Sequence, residues 1–200
     1  MATLSQLVAG IAAVEGIDPE RVGAIARAIR EHGFIRTSGR GTSAAQMSET
    51  DAANLLIAAN MADTARTAPA AVAQYRGLKA KRNKQTSEFG GELEEMISAV
   101  KQECLADHIT KMIALLGTRG HILGRKRFLN EAYRVDIEFE KPVPSVFVGV
   151  SVLNFGYSDA ISFGEHSRQS TAEASGDRRE RIRITQRTIH AVASILRVQE

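Results

Sequence analysis

The chain predicts an α+β fold, and three patterns carry that prediction. Apolar residues recur at helical spacing through roughly the first seventy-five positions. The period then changes to two: Tyr133, Val135, Ile137 and Phe139 alternate with Arg134, Asp136, Glu138 and Glu140. A helical period returns at the end, with Ile189, Val192 and Leu196. Helices separated along the chain from alternating strands suit an antiparallel sheet with helices packed on one face.

The first helix is expected over Leu4–Val14, with Leu4, Leu7, Val8, Ile11 and Val14 on one stripe and Gly16 ending it. Asp18 then supplies an N-cap, Pro19 a first helical residue and Glu20 a charge suited to the helix dipole. The second helix should run from about Pro19 to His32, burying Val22, Ile25, Ala26 and Ile29. Gly33 fits the left-handed position after it. Ser48 and Asp51 form a capping-box variant that opens a third helix over about Glu49–Ala62, with Ala52, Leu55, Leu56 and Ala59 inward. A fourth helix is expected from Pro69 to about Leu78. Such a cluster of short helices has the size of a helix-turn-helix domain.

Lys79–Ser87, KAKRNKQTS, reads as a basic linker or exposed helix extension, punctuated by Gly90–Gly91. Leu93, Met96, Ile97, Val100, Cys104, Ile109, Ile113 and Leu116 then predict one long helix over Glu92–Leu116. The alternating strand from Tyr133 is broken by Pro142 and Pro144. Val146–Leu153 reads as a more buried strand, Ala160–Phe163 as a third, and Glu165–Asp177 as a polar loop. Arg181, Ile182, Arg183 and Ile184 alternate again, and Thr185 caps the last helix. The domain reading is therefore a helical unit at 1–78, a linker at 79–91 and an α+β unit at 92–200.

The formal net charge of +3 is unevenly spread. Residues 1–87 hold eleven Lys/Arg against seven Asp/Glu, residues 88–140 seven against ten, and residues 141–200 eight against six. Basic ends around an acidic middle are compatible with a polyanionic partner. A single cysteine, Cys104, excludes an internal disulfide. No apolar run reaches ~18 residues and no Lys/Arg-led apolar leader is present, so no membrane partner is expected and a cytoplasmic setting is the default.

The most informative stretch is Ile25–Asp51. There a basic amphipathic helix leads into a loop with Arg36, Thr37, Ser38, Gly39, Arg40, Gly41, Thr42 and Ser43 and no carboxylate. Glycines allow close approach to a sugar–phosphate backbone, and guanidinium and hydroxyl groups donate hydrogen bonds to it. The nucleic-acid-binding set is Arg27, Arg30, Arg36, Thr37, Ser38, Arg40, Thr42 and Ser43. Gln46, Ser48 and Asn54 join it from the third helix and its approach, and Lys79, Lys81, Arg82 and Lys84 from the basic run. The competing reading is a solvated surface loop and linker. The loop lacks the GxxxxGK[ST] pattern of a nucleotide-binding P-loop.

Asp136, Glu138 and Glu140 share one strand face and in principle suit a divalent cation, as in nucleases. The plainer reading is the charged outer side of a strand. The five histidines have no metal spacing, His32 suits a helix C-terminus, Cys104 reads as a structural thiol, and no GxSxG occurs. No catalytic constellation, metal site or cofactor site is expected.

The run DPERVGAIARAIREHGFIRTSGRGTSAAQMSETDAANLLIAANMA, Asp18–Ala62, resembles the N-terminal segment of uncharacterised proteins of prophages and mobile elements in alphaproteobacteria. The REHGFI helix end, the GRGTSA loop and the DAANLLIA helix carry the likeness, which spans about the first eighty residues. It implies a phage-related setting and no particular activity. A small helical domain followed by an oligomerising helix also looks, in layout, like phage repressors and small terminase subunits. The expectation is a non-enzymatic, self-associating DNA-binding protein of the phage regulator type, with double-stranded DNA as partner. The alternatives are an oligomeric packaging or scaffold protein and, third, a metal-dependent nuclease.

Overall fold

A computed structural model describes residues 2–37, 45–82, 103–119, 133–152, 157–164 and 179–197. Among the described residues the chain forms α1 (Leu4–Glu15), α2 (Pro19–Glu31), α3 (Glu49–Met61), α4 (Ala68–Arg76), β1 (Ala80–Arg82) and α5 (Leu105–Arg119). These are followed by β2 (Tyr133–Lys141), β3 (Ser145–Val152), β4 (Tyr157–Gly164), β5 (Glu180–Thr185) and α6 (Gln186–Arg197). The α+β class is as expected from the sequence.

Local chemistry sets the helix ends. Thr3 caps α1 in a full capping box with Gln6, and Gly16 closes it at φ 68°. Asp18 accepts from the Glu20 amide at 3.0 Å, and His32 ends α2 with its Nδ1 donating to the Ala28 carbonyl at 2.9 Å. Gly33 follows at φ 78°. Ser48 and Asp51 form the expected reciprocal cap of α3. Thr185 Oγ1 accepts from the Arg187 amide and so caps α6.

The sheet is antiparallel throughout, in the order β1-β4-β3-β2-β5. Val135, Ile137, Phe139, Val146, Val148, Val150, Ile161, Phe163 and Ile184 point inward and are buried. The opposite face of β3 carries Ser145, half-buried Gly149 and exposed Phe147. Across β2 and β5 the register sets Glu138 opposite Arg183 and Glu140 opposite Arg181.

Three expectations need correction. First, α3 has no outward face: every residue from Asp51 to Met61 is buried. Its sequence AANLLIAAN is apolar or small on all sides, which is the pattern of a central helix and not of an amphipathic surface one. Second, the predicted helix over Glu92–Leu116 is interrupted. Residues 92–102 lie outside the described residues, and Glu103 and Cys104 are not helical. Cys104 instead bridges backbone to backbone with Lys79, and the Leu105 amide donates to the Leu78 carbonyl at 2.9 Å. Asp107 accepts from the Cys104 amide at 3.2 Å and from its thiol at 3.0 Å, which makes Cys104 the start of α5 and not part of a continuous stripe. Burial chiefly, with Asp107 beside it, pushes the Cys104 thiol above its ordinary value.

Third, the division at residue 78 falls within a shared interior. One apolar cluster runs from Leu7 and Ile11 through α3 to Phe139, Phe163 and Val192. Ala80–Arg82 within the supposed linker form an edge strand on β4, pairing Ala80 with Phe163 and Lys81 with Ser162. The α1–α6 packing is close enough that a methyl group at Gly10 would overlap Ile195. Tyr75 Oη of α4 donates to the Glu140 carbonyl at 2.6 Å, and Lys141 pairs with Asp63 at 2.5 Å.

Gly164 ends β4 at φ 82°, and a Cβ there would lie 2.5 Å from the Pro144 carbonyl oxygen. Gly164→Ala therefore costs on the order of 2–4 kcal/mol, from the left-handed backbone and the clash together. Gly77 has negative φ and open space, so Gly77→Ala is neutral or slightly stabilising. Urea denaturation of the two variants checks this, and equal midpoints would contradict the β3–β4 geometry.

Candidate functional site

Two regions gather polar and charged side chains: the root of the basic loop, and a cleft between the helices and β5. At the loop root, Asp51 is 3% exposed and acts as a hub. It accepts from the Arg36 amide at 3.1 Å, from the Ser48 amide at 2.8 Å and from Ser48 Oγ at 2.8 Å. Arg36 Nε lies 3.5 Å from the same carboxylate while its side chain stays 65% exposed. The other end of the loop is tied by the Met47 amide donating to the Ala2 carbonyl at 2.9 Å. Arg76 of α4 stacks over Phe34, its guanidinium carbon 5.4 Å from the ring centre.

The sequence-predicted residues divide accordingly. Arg27, Thr37, Gln46, Lys79 and Lys81 are exposed, and Arg30 is half-buried. Ser48 serves the α3 cap. Asn54 is 2% exposed and donates to the Phe34 carbonyl at 2.8 Å. Those two residues therefore hold the fold, and a groove-reading role for α3 is incompatible with its burial. Ser38, Arg40, Thr42, Ser43 and Lys84 lie outside the described residues, as does the side chain of Arg82.

The three carboxylates of β2 are engaged by arginines. Asp136 meets Arg183 at 2.6 Å and Arg134 at 2.8 Å. Glu138 meets Arg181 at 3.5 Å, and Glu140 meets Arg179 at 3.5 Å and Arg181 at 3.6 Å. This cross-strand ladder uses the oxygens a cation would need, and no cluster of metal-ligating groups occurs among the described residues.

The cleft was not legible as a site. It encloses about 410 Å³ and is lined by Glu15 of α1, Arg21 of α2, Asn60 of α3, Arg183 of β5, and Arg187 and Thr188 of α6, with apolar walls from Val14 and Ile182. Asn60 is 4% exposed. Its Nδ2 donates to both Glu15 oxygens, at 3.3 and 3.1 Å, and to the Leu56 carbonyl at 2.9 Å. Burial pushes the Glu15 carboxyl up to about 7, against the lowering effect of Asn60. Arg21 is steadied by donating to the Ala62 carbonyl at 3.0 Å. One signal was available in the sequence. Glu15 continues the four-residue spacing of Leu7 and Ile11, placing a carboxylate on an apolar stripe.

His108 is buried completely against Phe163, the ring centroids 5.4 Å apart, and neither ring nitrogen has a partner among the described residues. Burial first, and then Lys111, hold its titration down to about 4.

The chain matches no family model, no curated protein and no solved structure. No described helix is long and apolar enough to cross a membrane.

Two stability predictions follow from these groups. Asp51→Ala leaves the Arg36 and Ser48 donors without their acceptor and costs about 2–4 kcal/mol, read as a lower denaturation midpoint. Glu15 and His108 oppose each other in pH. Between 4.5 and about 7 the folded protein holds a proton on Glu15 that the unfolded chain has released, so stability falls by about 3 kcal/mol as pH rises through that window. Between about 4 and 6.5 the unfolded chain protonates His108 and the folded one does not, so that stability is lost as pH falls, by a similar amount of about 3 kcal/mol. His190, also lowered by burial, adds to the second effect. Relative to the parent, Glu15→Gln should steepen the rise of stability with pH and His108→Leu should turn it downward. Denaturation at several pH values tests this, and parallel profiles would refute the burial of these groups.

Proposed function

We propose that the protein binds nucleic acid, with duplex DNA as the partner, through sugar–phosphate contacts along α2 and the Arg36–Gln46 loop. The observation that carries this is the loop root. Both described ends of a glycine-, arginine- and hydroxyl-bearing loop are fixed to the core, while Arg36, Thr37 and Gln46 remain exposed, as does Arg27 of α2. A loop held at its base loses less conformational entropy when it grips a polyanion. Arg27, Arg30, Arg36 and Arg40 supply the charge, and Lys79 and Lys81 add to it from the edge strand. Binding of this kind is salt-dependent and weakly selective for sequence, because phosphate contacts position and do not specify.

A phage or prophage regulator in the cytoplasm, paired so that two copies share a site, is the setting in which such affinity becomes useful. The packaging-scaffold alternative depended on a continuous helix over Glu92–Leu116, and α5 begins only at Leu105. The nuclease alternative depended on carboxylates that the arginine ladder occupies.

Fluorescence anisotropy with a random-sequence duplex, titrated with salt, tests the reading. The double variant Arg36→Ala with Arg40→Ala should bind more weakly on every sequence. It should also flatten the salt dependence by roughly 1.8 in the slope of log K against log salt, for two lost contacts. Unchanged affinity and slope would remove the loop from the interface.

A further inference from the structure

The cleft bounded by Glu15, Arg21, Asn60, Arg187 and Thr188 has features that neither the fold nor the loop accounts for. Its charges stand where the helices disfavour them. Glu15 is the last residue of α1, Arg21 is in the first turn of α2, and Arg187 is the second residue of α6. A carboxylate at a helix C-terminus and cations at two helix N-termini all oppose the helix dipole. All three line the same space. Arg183 shares that space and is neutralised by Asp136. Arg187 forms no ion pair among the described residues, and Arg21 spends one nitrogen on a backbone carbonyl. Residues that depart from local preference and converge on one cavity mark a place where something other than folding sets the sequence.

We propose that this cleft is a binding site for a small organic anion, a carboxylate or a phosphate, received by the guanidinium groups of Arg21 and Arg187 above a floor of Glu15, Asn60 and Thr188. Planar guanidinium groups suit the two oxygens of either anion. The volume of about 410 Å³ is within the range of small-molecule sites. Thr188, 5% exposed, gives the floor a hydroxyl held by α6, while Asn60, 4% exposed, spends its amide protons on Glu15 and the Leu56 carbonyl and so fixes Glu15 in place.

Glu15 makes the site answer to pH. The charged groups lining the cleft with it are Arg21 from α2, Arg183 from β5 and Arg187 from α6, while α3 presents the neutral Asn60. An anion seated beside Glu15 favours its protonated form, which donates a hydrogen bond where the carboxylate would repel. Binding therefore takes up a proton and weakens as pH rises through about 7. The proposal is independent of nucleic-acid binding, since the loop root and the cleft share no residue.

Isothermal titration of the full chain with succinate, citrate and inorganic phosphate, at pH 6 and pH 8, tests it. Succinamide serves as the uncharged control. The expected result is saturable binding of a carboxylate or of phosphate at pH 6, weaker at pH 8, with no binding of succinamide. Which anion binds distinguishes the two sources. Arg187→Gln, an exposed substitution, should weaken binding roughly tenfold or more. Glu15→Gln puts a neutral group beside Asn60 at both pH values and should remove the part of the pH dependence that the anion's own titration does not supply. Either of two results would overturn the proposal: no saturable binding of any of the three anions at about 10 mM and pH 6 (weaker than ~3 kcal/mol of affinity), or binding indifferent to Arg187→Gln. Circular dichroism of both variants confirms that the fold is intact.

Discussion

The burial of α3 on every side is the constraint on which the rest of the structure depends. A helix with no solvent face needs a neighbour in each direction, and α2, α4, α5, α6 and β2 provide them. Its small residues, Ala52, Ala53, Ala58 and Ala59, let those neighbours come close, while Leu55, Leu56 and Ile57 fill the space between. The polar groups that α3 carries inward are tied to the segment after α2 and to α1. Asp51 holds the loop after α2, Asn54 holds the Phe34 carbonyl and Asn60 holds Glu15 of α1. One helix thus joins the root of the basic loop to the cleft, whose floor it supplies through Asn60.

Much of the fold was legible in the sequence, because caps and apolar periods are local. Thr185 and Gly33 acted as their chemistry requires, and the Ser48–Asp51 cap marked the start of α3 correctly. The environment of α3 was not legible. A period-based reading assigns Ala52, Leu55, Leu56 and Ala59 to an inward face and leaves the remainder to solvent, yet alanine is equally at home in both places. β1 was hidden for a related reason. Three residues in a basic run carry too little pattern to outweigh their charge, and only pairing with β4 makes them a strand. The long stripe through Cys104 has a helical period, and periodicity alone does not register that Glu103 and Cys104 are not helical and that α5 begins at Leu105.

The sites divide along the same line. The loop stands out in the sequence because its residues are consecutive, and at its described root Arg36 is exposed. Ser48 and Asn54 were misassigned because a capping serine and a buried asparagine look the same in sequence as groups that read a base. The cleft draws on five elements, so no spacing announces it. Its traces are a carboxylate on an apolar stripe and charges that disagree with their helix ends. The β2 carboxylates show the converse. Asp136, Glu138 and Glu140 suggested a metal because their partners on β5 lie more than forty residues away, and the sheet register brings Arg181 and Arg183 beside them.

The contact between Gly10 and Ile195 has a consequence for how the chain is made. α1 finds its closest neighbour in a helix that emerges some 185 residues after it. At the usual speeds of synthesis that interval is on the order of ten seconds or more. Throughout it, the side of α1 around Gly10 lacks the side chain that finally packs on it, because Ile195 has not yet been translated. The packing of α1 is therefore completed only when α6 arrives, and until then that side of the helix stays open to solvent.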